Sequence, residues 1–151
     1  MIFMHKKVLY PDAVAIIKGG AAAPNLRGRV EFYQKSNGVL IVTNIEGLPK
    51  DNQSGFFAFH IHEGKSCKGE DFAETLAHYN PQSTPHPMHA GDLPPLLECK
   101  GMAYMSALTG RFNIKEIIGR TVVIHNSADD FTTQPAGNAG AKIACGIIKR
   151  I

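Results

Sequence analysis

Residues 59–93 read FHIHEGKSCKGEDFAETLAHYNPQSTPHPMHAGDL, and this stretch decides both the fold and the chemistry. It holds His60, His62, His78, His86, His89 and Asp92, so five of the seven histidines fall in under a quarter of the chain. His125 closes a later strand-like run, and only His5 stands apart. Crowded imidazoles with one carboxylate three residues after the last are what a borderline transition metal needs, and the pattern predicts a two-metal site.

The first part of the stretch reads as a strand, Gly55–His62 (GFFAFHIH). Alternation of side chains puts Phe59 and Ile61 on the core face and turns His60 and His62 outward together, where two ring nitrogens can converge on one ion. Taken alone, the same pair would equally suit two surface histidines of a hairpin. The remainder, from Cys67 to Leu97, carries Pro81, Pro85, Pro87, Pro94 and Pro95, which keep helix and central strand out of most of it. A loop of that length has a task when it is not disordered, and His78, His86, His89 and Asp92 supply one.

Working outward, Ala13–Lys18, Arg27–Lys35, Val39–Ile45, Gly101–Leu108, Thr121–His125 and Ile143–Ile151 read as further strands. Ser36-Asn37-Gly38 is a turn between two of them, and Ile114–Ile118 fits a short helical turn. The 15 glycines and 9 prolines favour turns over long helices. These features predict one all-β domain over residues 1–151, with seven or eight strands and no internal repeat.

Charge excludes some functions. The net charge of +3 is mild and the basic residues are scattered, which argues against nucleic acid as a partner, while a weak positive bias suits a small anion. No stretch has the length of a membrane span. Pro11 and Asp12 interrupt the apolar run after the first lysines, so no export signal is expected and the cytoplasm is the expected compartment. The three cysteines, Cys67, Cys99 and Cys145, form no CxxC pair, and an odd count leaves one thiol free in a monomer.

Four ordered segments, FHIHEGKSC, AHYNPQSTPHPMHAGDL, GRTVVIHNSADD and GNAGAKIACGII, give the chain a resemblance to the copper/zinc superoxide dismutase family over nearly its whole length. The resemblance implies a Greek-key β-sandwich or flattened barrel of about eight antiparallel strands with two long functional loops. It assigns copper to His60, His62, His78 and His125, and zinc to His78, His86, His89 and Asp92, with His78 bridging the two. Asp129 matches the carboxylate that links His60 to His86, and Cys67 and Cys145 match the intrasubunit disulfide; Cys99 has no counterpart.

The implied activity is dismutation of superoxide to dioxygen and hydrogen peroxide, with His78 and Lys142 as the catalytic residues. Lys142 stands where the family usually has an arginine, and residues 130–140 form a shorter loop than usual without lysine or glutamate. Lysine keeps the charge but loses the planar fork, so reduced activity is expected. The alternative is a copper or zinc buffer, or a copper-delivery relative, that keeps the site without turnover. A homodimer is the assembly the resemblance implies, and family members that keep the disulfide in the cytosol leave the cytoplasmic expectation standing.

Overall fold

Alternating burial sets the strands. In β1 (Ala13–Gly19), Ala13, Ala15 and Ile17 face inward while Ile16 and Lys18 face out, and β2 (Arg27–Lys35) buries Val30 and Phe32 in the same rhythm. The structure, a computed structural model, describes residues 9–151; His5 and most of the stretch bearing on an export signal lie outside them. β3 (Gly38–Glu46) follows β2 through the Ser36-Asn37 turn, with Lys35 paired to Gly38. Next come β4 (Phe56–Phe57), β5 (Phe59–His62), β6 (Leu96–Leu97), β7 (Met102–Thr109), α1 (Ile114–Ile117), β8 (Thr121–His125) and β9 (Lys142–Arg150).

Seven strands form one antiparallel sheet in the order β5-β8-β9-β1-β2-β3-β7, curled into a half-barrel, and β4 pairs with β6 in a small second sheet. The expected all-β architecture is therefore present. One core fills the curl, built around Phe32, Phe57, Phe59, Ile17, Ile41, Ile61, Leu96, Ile124 and Ile148. The chain reaches both edges of the sheet late, because β3 is followed by β5 at the far edge and then by β7 beside β3.

Two expectations need correction. The single strand expected over Gly55–His62 is broken at Ala58, because β4 joins the small sheet while β5 joins the large one; Ala58 instead bonds Ser127 and His125 through its backbone. The proline-rich segment does accommodate a short 3₁₀ stretch, Glu70–Thr75, ahead of its first proline. The helical turn appears as α1, and Asn113 and Glu116 close a reciprocal capping box at its start.

Candidate metal centre

β5 lies at an edge of the sheet, and the site is assembled on its open side. Ile61 N donates to Gly91 O at 2.9 Å, Tyr79 N to Ile61 O at 2.8 Å, and Glu63 N to Ala77 O at 2.9 Å. The long loop thus supplies the partners that a further strand would have given this edge. Gly91 permits the approach, since a Cβ there would stand 2.1 Å from Ile61 O. The Arg120 guanidinium caps the arrangement, 3.9 Å over the Tyr79 ring, while its Nη1 donates to Glu63 O.

This docking brings Asp92 beside His60 and His78 beside His62. His125 arrives from β8, which neighbours β5, at a bulge where it pairs with Lys142 of β9. The outward-facing imidazoles expected of the strand are therefore not exposed: His60 and His62 do lie opposite the core, but the loop covers them to 0% and 2% exposure.

Two four-residue groups result, His60-His62-His78-His125 and His78-His86-His89-Asp92, in each of which one donor atom per residue lies within 4.8 Å of the others. His78 belongs to both. Hydrogen bonds fix the rings. His62 Nδ1 donates to Leu76 O at 2.9 Å and His125 Nδ1 to Gly140 O at 3.1 Å, so their Nε2 lone pairs face each other across 3.2 Å. Two lone pairs at that distance repel unless a cation or proton lies between them. On the second group, Asp92 carboxylate oxygens lie 2.8 Å from His78 Nδ1, 3.1 Å from His86 Nδ1 and 3.3 Å from His89 Nδ1.

Asp129 joins the two groups. Its oxygens accept from His60 Nε2 at 2.7 Å and His86 Nε2 at 2.8 Å, which leaves Nδ1 of each ring free to point into its own group. Burial is the largest influence on the histidines. It drives His62 down to about 2 and His125 to about 3, and lowers His60 and His89, so these rings are neutral near neutral pH, as metal ligation requires. Burial pushes Asp129 the other way, but its bonds to His60, Phe131 and His86 outweigh that and hold it ionised.

A model of the copper/zinc superoxide dismutase family matches residues 26–148. The chain belongs to that family. It is 36% identical to copper/zinc superoxide dismutase 2 of Aquifex aeolicus over 137 residues, covering 81% of this chain and 78% of that protein. It is 31% identical to the Legionella pneumophila copper/zinc superoxide dismutase, covering 98% and 93% of the two chains. Among solved structures it resembles a double mutant of a superoxide-dismutase-like protein from Bacillus subtilis, with a TM-score of 0.73, 28% identity, and coverage of 89% and 95%.

The residues of this dismutase fit the two metals of its family. Four buried side-chain N or O atoms lack a hydrogen-bond partner among the described residues, and three are His60 Nδ1, His78 Nε2 and His86 Nδ1; the last, with the ring proton on Nε2 towards Asp129, faces the Asp92 oxygen at 3.1 Å as a lone pair and makes no hydrogen bond to it. Buried nitrogens are rarely left so, and a metal satisfies all three. Four imidazoles suit copper, and three imidazoles with a carboxylate suit a closed zinc site.

The remaining expected residues also fall here. Cys67 and Cys145 are joined, with Cα atoms 5.8 Å apart, and Cys99 is free and exposed. Lys142 Nζ donates to Thr75 Oγ1 at 2.8 Å and Leu76 O at 3.1 Å, and lies close enough to His62 and His125 to help keep both neutral. Leu76, whose carbonyl serves both His62 and Lys142, adopts φ 61° and ψ −145°, a conformation natural only to glycine. Thr75, Arg111, Gln134 and Gly137 also support the centre and escape sequence reading, because each acts through a long-range contact that leaves no local pattern.

Proposed function

We propose that this dismutase holds copper with His60, His62, His78 and His125, and zinc with His78, His86, His89 and Asp92, and that it converts superoxide to dioxygen and hydrogen peroxide. The observation that carries the reading is the double membership of His78: its Nδ1 faces Asp92 while its Nε2 is buried and unpartnered on the other side. A storage site needs no such shared ring.

Bound copper supplies the one-electron couple that takes an electron from one superoxide and returns it to a second, which leaves as hydrogen peroxide after gaining two protons. The protein's part is positioning. Burial of His60 and His62 keeps bulk water off the donor nitrogens, and the Leu76 and Gly140 carbonyls hold the His62 and His125 rings in one tautomer. His78 Nε2 is the atom placed to hold one proton and hand it on.

Lys142 draws and orients the anion. Two of its three N–H donors are engaged by Thr75 and Leu76, which leaves one for superoxide, whereas a guanidinium could offer two in a fixed plane. This supports turnover below that of an arginine-bearing relative. Pairing into a homodimer completes the proposal and sedimentation equilibrium checks it; the disulfide favours an oxidising compartment over the cytoplasm expected from the sequence, and cell fractionation decides between the two. The deciding experiment is pulse radiolysis of protein loaded with one equivalent each of copper and zinc. Turnover well above that of His125→Ala supports the proposal; equal rates at full copper occupancy refute it.

A further inference from the structure

Two side chains outside the ligand sets grip the loop that carries His86, His89 and Asp92. Arg111, just after β7, places one guanidinium nitrogen, Nη1, 2.9 Å from Pro87 O, 3.1 Å from His89 O and 3.3 Å from Asp92 O. Those carbonyls come from tight turns in which Met88 N donates to Pro85 O and Asp92 N to His89 O, so the backbone curls around one cationic donor. Gln134 grips from the other loop. Its Oε1 accepts from His86 N at 2.9 Å and its Nε2 donates to His86 O at 2.7 Å, both halves of one amide on both halves of one residue.

His86 is therefore fixed twice, its ring by Asp129 and its backbone by Gln134, while Arg111 sets where the chain turns on either side of His89. None of the Arg111 or Gln134 bonds reaches a ring nitrogen or carboxylate oxygen of the group. Whatever they contribute to metal binding is contributed by placing the donor atoms.

We infer that Arg111 and Gln134 are positioning residues for the zinc half of the centre: they hold His86, His89 and Asp92 at the spacing zinc requires. The inference rests on the zinc assignment made above. A cation in the centre and the Arg111 charge repel, so the arginine acts here through geometry: its long side chain brings a single nitrogen, Nη1, within 3.3 Å of all three carbonyls, and the shorter lysine restores that placement only in part.

The test uses the full chain loaded with zinc alone. Zinc release to an excess of chromogenic chelator is timed for the wild type, Arg111→Gln, Arg111→Lys, Gln134→Ala and Gln134→Glu. Visible spectra of the cobalt(II)-substituted proteins report coordination geometry, and thermal midpoints of the metal-free proteins report folding. Release faster by about 10–100-fold in Arg111→Gln and Gln134→Ala, with altered cobalt bands and partial recovery in Arg111→Lys, is the expected result.

Unchanged release and unchanged cobalt spectra, with only the metal-free midpoint lowered, would reduce both residues to structural ones and overturn the inference. If Arg111→Gln or Gln134→Ala does not fold, Arg111→Lys and Gln134→Glu, which keep side-chain size, decide on the same two readouts. Failure of the wild type to bind zinc overturns the assignment and the inference together, whereas tight wild-type binding with indifferent variants removes the inference alone.

Discussion

The Lys142 ammonium donates to the Thr75 hydroxyl at 2.8 Å, tying the first residue of β9 to the end of the 3₁₀ segment. Thr75 is fully buried, and its own proton goes to Phe72 O at 2.8 Å, so its lone pairs are free for the lysine. Thr75→Val keeps the shape and removes the anchor. A fall in kcat/KM of about fivefold is expected, the kinetic equivalent of one hydrogen bond of about 1 kcal/mol. Lys142→Arg should raise kcat/KM by about tenfold by adding a second aligned donor. Pulse radiolysis of both variants at equal metal content checks this; a faster Thr75→Val enzyme would show that the tether restrains the lysine rather than aiming it.

Gly137 sits against the Asp129–His86 hydrogen bond. A Cβ at this position would lie 2.1 Å from Asp129 Oδ1 and 2.6 Å from His86 Nε2, and φ is +69°, so Gly137→Ala meets both strain and collision. The carboxylate must move, and it holds both groups. Expected is a loss of about 1–3 kcal/mol from strain alone, together with about 10–100-fold weaker metal binding. Chemical denaturation with zinc titration measures both, and a variant as stable and as tight as wild type would show that Asp129 is less constrained than its contacts imply.

Much of this is legible in the sequence, for identifiable reasons. Period-two alternation marks β2 to the residue and the continuous apolar run before His125 marks β8, and the ligand types announce themselves because few other tasks concentrate five histidines within one strand and the loop after it. The pairing of Cys67 with Cys145 is legible only through family resemblance, since spacing alone does not choose among three cysteines. The break at Ala58 and the burial of His60 and His62 are not legible, because both depend on where a loop dozens of residues away comes to rest. Side-chain to backbone grips such as Gln134 on His86, 48 residues apart, leave no trace in composition or period.

The disulfide closes a separation of 78 residues and anchors the segment leading to the 3₁₀ stretch onto β9. In the chain-entropy model that separation corresponds to about 4.5 kcal/mol, an upper figure if the reduced unfolded chain retains structure. Cys67→Ser should therefore cost about 3–4 kcal/mol in the metal-free protein. The same substitution at exposed, unpaired Cys99 should change stability by less than about 0.5 kcal/mol. Denaturant titration of the two variants side by side tests the contrast, and comparable losses would contradict it.

Acid should unfold the metal-free protein through its buried imidazoles. Burial holds His62 at about 2 and His125 at about 3 in the folded chain, against 6.5 for a free imidazole. Between these limits the unfolded chain binds protons that the folded chain refuses, so stability is full above about pH 6.5 and declines as the pH falls towards 3. Two such groups give a slope of about 2.7 kcal/mol per pH unit at its steepest. Asp129, held ionised by its bonds to His60, Phe131 and His86, extends the decline below about pH 4. Metal should move the whole curve to lower pH, because a bound ion competes with protons for the same lone pairs and stabilises only the folded chain. Thermal midpoints of the metal-free protein from about pH 8 to about pH 4 decide the point: a flat profile between pH 7 and 5 would mean that the folded protein opens locally to admit protons at the histidines.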